Sequence, residues 1–143
     1  MKKIGLASDH AGFPMKEHVK KVLKEWMPEV ELIDFGTHSE DSVDYPDFAH
    51  KLGDAIDKGD LQWGVAVCGS ANGISMALNK HKNVRAAISW CEEIAELARL
   101  HNNANILSLP GRFLSDDEGE AILRKFFTTE FEGGRHQRRV EKI

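Results

Sequence analysis

The chain has 143 residues, 41% of them hydrophobic and 29% charged, with 19 Lys and Arg against 23 Asp and Glu for a net charge of −4. That length encloses one hydrophobic core rather than two, so residues 1–143 are read as a single domain, and a mildly acidic whole lacks the positive field of a nucleic-acid coat or membrane adsorber. No apolar run approaches the ~20 residues that cross a bilayer, and the apolar stretch after Met1-Lys2-Lys3 is too short for a secretory signal, so a cytoplasmic protein is expected, with neither nucleic acid nor membrane as partner.

In chain order, residues 3–8 (Lys-Ile-Gly-Leu-Ala-Ser) read as a buried strand. Met15, Val19, Val22, Leu23 and Trp26 then follow i, i+4, i+7, i+8, i+11 spacing, one face of a helix with Pro14 in its permissive first turn. Further strands are expected at 30–34, 63–68 (Trp63-Gly64-Val65-Ala66-Val67-Cys68), 85–89 and 105–109, with helices at 46–58, 73–81, 91–101 and 116–128 between and after them. A short basic helix at 135–142 follows Gly133-Gly134. Strict β-α alternation implies an α/β fold: a three-layer α/β/α sandwich around a Rossmann-like, five-stranded parallel sheet, with a C-terminal basic helical tail. No internal repeat or linker divides it. The two cysteines, Cys68 and Cys91, make neither a disulfide framework nor a zinc ribbon.

Open parallel sheets bind ligands beyond the carboxyl ends of their strands. Strand one ends in Asp9-His10-Ala11-Gly12, strand three in Cys68-Gly69-Ser70-Ala71-Asn72-Gly73, strand five in Pro110-Gly111-Arg112, and the helix before strand five in His101-Asn102; all are expected at one sheet edge. A glycine-rich turn entering a helix presents unpaired N–H groups to an anion, and a thiol at its start should lose part of its proton affinity, from a reference pKa of about 8.5, toward service as a base. The bland alternative is a small buried cysteine closing a strand; the flanking glycines weigh against it. The loop lacks a Walker lysine and Gly-x-Gly-x-x-Gly spacing, and Ile74 stands where a cysteine phosphatase needs arginine. His18, His38, His50 and His81 fit bland surface roles, whereas His10 and His101 combine with Asp9 and Cys68 into acid–base chemistry. No ligand set shows metal spacing, so a metal-free site without cofactor is expected. In the tail, Arg135 and Arg139 share a helix face beside His136 and make a phosphate clamp, against the plainer reading of a solvated basic end.

Taken together, Ser8-Asp9-His10-Ala11-Gly12-Phe13, Asp44-Tyr45-Pro46, Cys68-Gly69-Ser70-Ala71-Asn72-Gly73-Ile74-Ser75, Asn79-Lys80, Ala98-Arg99-Leu100-His101-Asn102-Asn103-Ala104-Asn105 and Glu132-Gly133-Gly134-Arg135-His136 resemble the ribose-5-phosphate isomerase B family, which also contains galactose-6-phosphate isomerase subunits. The resemblance spans nearly the whole chain. It implies aldose–ketose isomerisation of ribose 5-phosphate and ribulose 5-phosphate without metal or organic cofactor, in a homodimer or dimer of dimers whose sites are shared across the interface. It also implies roles: His101 with Asp9 opens the sugar ring, Cys68 moves the proton through an enediolate, and Ser70 stands where threonine is usual. The amides of Gly69, Ala71, Asn72 and Gly73 hold the oxyanion. Arg112, Arg135, His136, Arg139 and His10 meet the phosphate, and Tyr45 and Asn102 meet the sugar. One branch of the family uses a glutamate at the position of Ile74, so Cys68 selects the thiol branch. Ala71 replaces a usual glycine and would cost about 1 kcal/mol if positive φ is required. A hexose 6-phosphate isomerase acting on allose or galactose phosphate, and a non-catalytic sugar-phosphate sensor, are the rival readings.

Overall fold

The structure is a computed structural model describing residues 1–143. Its elements are β1 (Lys3–Ser8), α1 (Phe13–Trp26), β2 (Glu31–Asp34), α2 (Tyr45–Asp57), β3 (Trp63–Cys68), α3 (Asn72–Leu78), β4 (Ala86–Ile88), α4 (Glu92–Asn102), β5 (Ile106–Pro110), α5 (Asp116–Phe127) and α6 (Arg135–Val140). The five strands form one parallel sheet in the order β2-β1-β3-β5-β4. Elements and expected positions agree to within a few residues.

The strand order dictates the layers. Right-handed crossovers put a helix on one face when the chain steps one way along the sheet and on the other face when it steps back. From β1 to β2 and from β4 to β5 the chain moves in one direction, so α1 and α4 share a face with α5. Their apolar stripes, including Met15, Val19, Leu23, Ala95, Ala98, Ile122 and Phe126, form one buried cluster with Ile4, Leu6, Val65 and Leu107. From β2 to β3 and from β3 to β4 it moves the other way, and α2 and α3 build the second cluster, with Leu52, Ile56, Ile74 and Leu78 on Ala7 and Ala66. Because both faces are covered, β1, β3 and β5 are buried along nearly their whole length.

The connections leaving β1 and β3 diverge, so a crevice opens between these neighbouring strands at their carboxyl ends, the topological switch point. Two features brace its rim. Past β2 the chain keeps pairing with β1: Ser8 N donates to Gly36 O (2.7 Å) and Thr37 N to Ser8 O (2.8 Å). Lys16, fully buried on α1, places Nζ 2.8 and 2.7 Å from the two carboxylate oxygens of Asp34, which also accepts from Lys20 Nζ (2.7 Å) and Gly36 N (2.9 Å). The apolar periodicity of α1 gives no sign of this buried lysine; its stem packs among hydrophobic neighbours and its charge is met by a partner 18 residues away. No helix is long and apolar enough to cross a membrane.

Candidate active site

At the carboxyl edge, three strand ends are stitched together. Gly12 N donates to Asp9 Oδ1 (2.9 Å), closing the turn from β1 into α1. That turn lies so close to β3 that a Cβ on Gly12 would stand 2.2 Å from the Val67 carbonyl oxygen, so only glycine fits. From β5, Gly111 N donates to Cys68 O (2.9 Å) and Arg112 N to Gly69 O (3.1 Å), which lays the Arg112 side chain along Gly69. His10 Nδ1 accepts from Val43 N (3.2 Å), so a neutral imidazole there carries its proton on Nε2 and remains a donor.

Cys68 ends β3 as a free thiol, 5% exposed, and Asp9 is 8% exposed. Ala71 takes the left-handed conformation expected of the usual glycine, φ 67°. Its Cβ costs about 1 kcal/mol there, partly offset because the methyl group is fully buried. The turn sends the chain into α3, whose first N–H, that of Asn72, donates to Ser70 Oγ (3.3 Å). Tyr45, first residue of α2 and 38% exposed, rests its ring on Gly73: a Cβ at Gly73 would meet Tyr45 Cζ at 2.5 Å. Asp9, His10, Tyr45, Cys68, Ser70 and Arg112 thus surround a cleft of about 510 Å³. Phe113, 73% exposed, also lines it and had no signal in the sequence beyond its place after Arg112.

The other expected residues lie elsewhere in the chain, which corrects the expectation of one shared edge. A helix that leaves a strand's carboxyl end runs back to the amino edge, and α4 does so. Its last residues, His101 and Asn102, precede Asn103 (φ 46°), which turns the chain into the start of β5, where Asn103 and Asn105 share a groove with Gln62 and Trp63 at the start of β3. Strands of this length put the two edges roughly 17–20 Å apart. The basic tail joins His101 there. Glu132 N donates to Leu100 O (3.1 Å), and Gly133 and Gly134, with φ of 72° and 57°, reverse the chain so that α6 packs against α4. His136, 5% exposed, stacks on His101 with ring centroids 4.1 Å apart and planes 13° apart. Burial, reinforced by the nearby His101, Arg135 and Arg139 charges and opposed by Glu132, holds the His136 imidazolium below the ordinary histidine range.

The residues therefore fall into two groups: Asp9, His10, Tyr45, Cys68, Gly69, Ser70, Gly73 and Arg112 at the carboxyl edge, and His101, Asn102, Arg135, His136 and Arg139 at the amino edge and tail. The carboxyl-edge group holds a thiol, a carboxylate, an imidazole and a guanidinium around an amide-lined turn, which suits proton transfer next to a developing oxyanion. The second offers imidazoles and guanidiniums without a thiol. Contrary to the expectation that no ligand set has metal spacing, His101, Glu132 and His136 each bring one metal-capable atom within 4.8 Å of the others. His50 and His81 are also less bland than their surroundings suggest: His50 Nδ1 and His81 Nε2 are 2.8 Å apart, and His81 Nδ1 is 3.2 Å from Asp57 Oδ2.

The family model described as Ribose/Galactose Isomerase matches residues 4–143. Ribose-5-phosphate isomerase B of Escherichia coli is 38% identical over 143 residues, covering 100% of this chain and 95% of that protein. A crystal structure of a ribose 5-phosphate isomerase from Thermotoga maritima superposes with a TM-score of 0.94 at 45% identity, covering 99% of this chain and 96% of that one. Ribose-5-phosphate isomerase B from Mycoplasma genitalium, solved with bound ribulose-5-phosphate, superposes with a TM-score of 0.91 at 42% identity, covering 98% and 92%.

Proposed function

The chain belongs to the ribose/galactose isomerase family, and from that premise we propose that it interconverts ribose 5-phosphate and ribulose 5-phosphate, with Cys68 as the base that carries the proton between C2 and C1. The observation that carries this reading is the thiol at the switch-point crevice, at the head of a left-handed amide turn and in one cleft with Asp9, His10 and Arg112. A proton leaving a carbon beside a carbonyl puts negative charge on an oxygen, and the Gly69–Gly73 amides are where that charge would be stabilised.

The sequence of events follows from what each group can do. His101, with Asp9, opens the furanose ring by moving a proton from the anomeric hydroxyl to the ring oxygen. The Cys68 thiolate then takes the C2 hydrogen of the open aldose, the enediolate sits under the turn amides, and the Cys68 thiol returns the proton to C1. Ser70 relays the proton between the two hydroxyl oxygens. Tyr45 and Asn102 bind the sugar hydroxyls; His10, Arg112, Arg135, His136 and Arg139 bind the phosphate, the guanidiniums as forked donors.

Within one chain these groups stand at opposite edges of the sheet, which supports a two-fold homodimer in which His101, Asn102, Arg135, His136 and Arg139 of one protomer complete the cleft of the other. A dimer of dimers keeps the same unit. The whole of 1–143 acts as one domain in the cytoplasm. An assay panel tests the substrate: turnover of ribose 5-phosphate should exceed that of allose and galactose 6-phosphates in kcat/KM. A preference for either hexose would make it a hexose phosphate isomerase, and binding without turnover of any of the three would make it a sensor.

A further inference from the structure

We propose that His101, Glu132 and His136 form a binding site for a divalent transition-metal ion of the zinc class, and that the ion switches the isomerase off. Three separate segments deliver the donors: the last turn of α4, the residue whose N–H is tied to Leu100 O, and the first turn of α6. The donor atoms lie within 4.8 Å of one another, so one ion could meet all three. A second observation points the same way. His136 Nε2 is buried without a hydrogen-bond partner, its nearest carboxylate oxygen, Glu132 Oε1, standing 3.8 Å off. A buried polar atom left without a partner calls for an explanation, and an absent ion is one.

The donor set fits. Two imidazoles and a carboxylate make a three-ligand site with a fourth position for water, and imidazole suits zinc, copper and nickel better than magnesium or calcium. Ligand bonds of about 2.0–2.2 Å require the donors to draw in by an ångström or so. Glu132 is exposed and His101 half-buried, so both can move, while buried His136 is the fixed point. The rings must also splay from their present stack for both lone pairs to reach one ion, so binding disrupts the His101–His136 pair. Arg135 and Arg139 on the same helix oppose the cation, making the site weaker than a structural zinc centre. The inhibitory part rests on the function proposed above: an ion on His101 takes the lone pair that ring opening needs.

The test titrates Zn2+ alone into the full-length protein against a chromogenic zinc indicator, with no sugar present, and then measures ribose 5-phosphate turnover with and without zinc. One equivalent per chain is expected. Glu132→Gln and His136→Gln should each weaken binding by ~10-fold or more, the least that losing even an outer-shell partner costs a metal site. Glu132→Gln, an exposed residue outside the catalytic groups, should leave zinc-free turnover unchanged while shifting the inhibition curve by the same factor as binding. Cys68→Ser should leave zinc binding intact. Unaltered binding in Glu132→Gln, or loss of binding in Cys68→Ser, overturns the site; zinc bound at these residues with turnover untouched overturns the inhibition. If the wild-type protein turns over none of the sugars, the function fails instead, and the indicator titration still decides the site.

Discussion

Gly73→Ala separates the stability of the fold from the integrity of the site. A Cβ at this position would stand 2.5 Å from Tyr45 Cζ and 2.8 Å from its hydroxyl, its nearest neighbours all being atoms of that side chain. Tyr45 is 38% exposed at the start of α2, so its ring can swing into solvent. Its lost packing costs about 1 kcal/mol, which the roughly 0.5–1 kcal/mol gained by replacing glycine with alanine inside α3 offsets. The melting temperature should therefore move by no more than about 3 °C. Activity should not survive so well. Losing a tyrosine hydrogen bond worth about 0.5–1.5 kcal/mol lowers kcat/KM by roughly 2–13-fold. Gly12→Ala is the contrast, because its Cβ would stand 2.2 Å from a backbone carbonyl that cannot swing aside, and it should lose about 3 kcal/mol or more. Melting curves and steady-state kinetics measure both effects. In a Tyr45→Ala background, Gly73→Ala should cost no further activity, since the two act through one ring. Unchanged kinetics in Gly73→Ala, a loss of stability matching that of Gly12→Ala, or additive activity losses in the double variant would refute the reasoning.

Two further outcomes are expected. Burial raises the Asp34 carboxyl, but the hydrogen bonds from Lys16 and Lys20 outweigh it and hold the group below the usual carboxylate range, so its stabilising contribution is complete above the unfolded carboxylate pKa and is lost as pH falls through the lower folded value. Asp34→Asn, which leaves the buried Lys16 ammonium only Glu17 (3.1 Å) as a counter-charge, should lower stability by about 1–3 kcal/mol at neutral pH and flatten the acid limb of a melting-temperature-against-pH curve; an unchanged limb would mean that another carboxylate governs acid unfolding. Mixing inactive Cys68→Ala and His101→Asn proteins and letting subunits exchange should restore about a quarter of wild-type activity, because random two-fold pairing makes half the dimers mixed and one site in each intact. No recovery after demonstrated exchange would mean that each site is built within one chain.

What the sequence made legible follows from where local rules suffice. The buried strands and the amphipathic α1 are written in apolar spacing, and once parallel strands are inferred, residues just beyond their carboxyl ends, Asp9, Cys68 and Arg112, fall together without further information. His101 is not legible from its nearness to β5 in sequence, because a crossover helix is a return path and its last turn lies at the amino edge, where β5 begins. Other features need partners far away in sequence. Lys16 is buried with Asp34, 18 residues away, meeting its ammonium through both carboxylate oxygens and Glu17 adding a second carboxylate at 3.1 Å. Arg99 is buried because Thr129 O, Ala104 O and the Asn103 side chain accept from its guanidinium beneath the Trp63 ring. Glu132 and His136 have visible i, i+4 spacing, but their third companion lies 31 residues before Glu132 and appears only when the double glycine folds α6 back onto α4.

The most direct test of Cys68 as the proton carrier is solvent exchange in heavy water, followed by NMR of the sugar carbons during incubation with ribose 5-phosphate. Wild-type protein should introduce deuterium at C1 of the ketose and C2 of the aldose. Cys68→Ala should still bind the sugar phosphate and introduce none. Deuterium appearing at either carbon in the Cys68→Ala protein at a rate near that of the wild type would contradict the account.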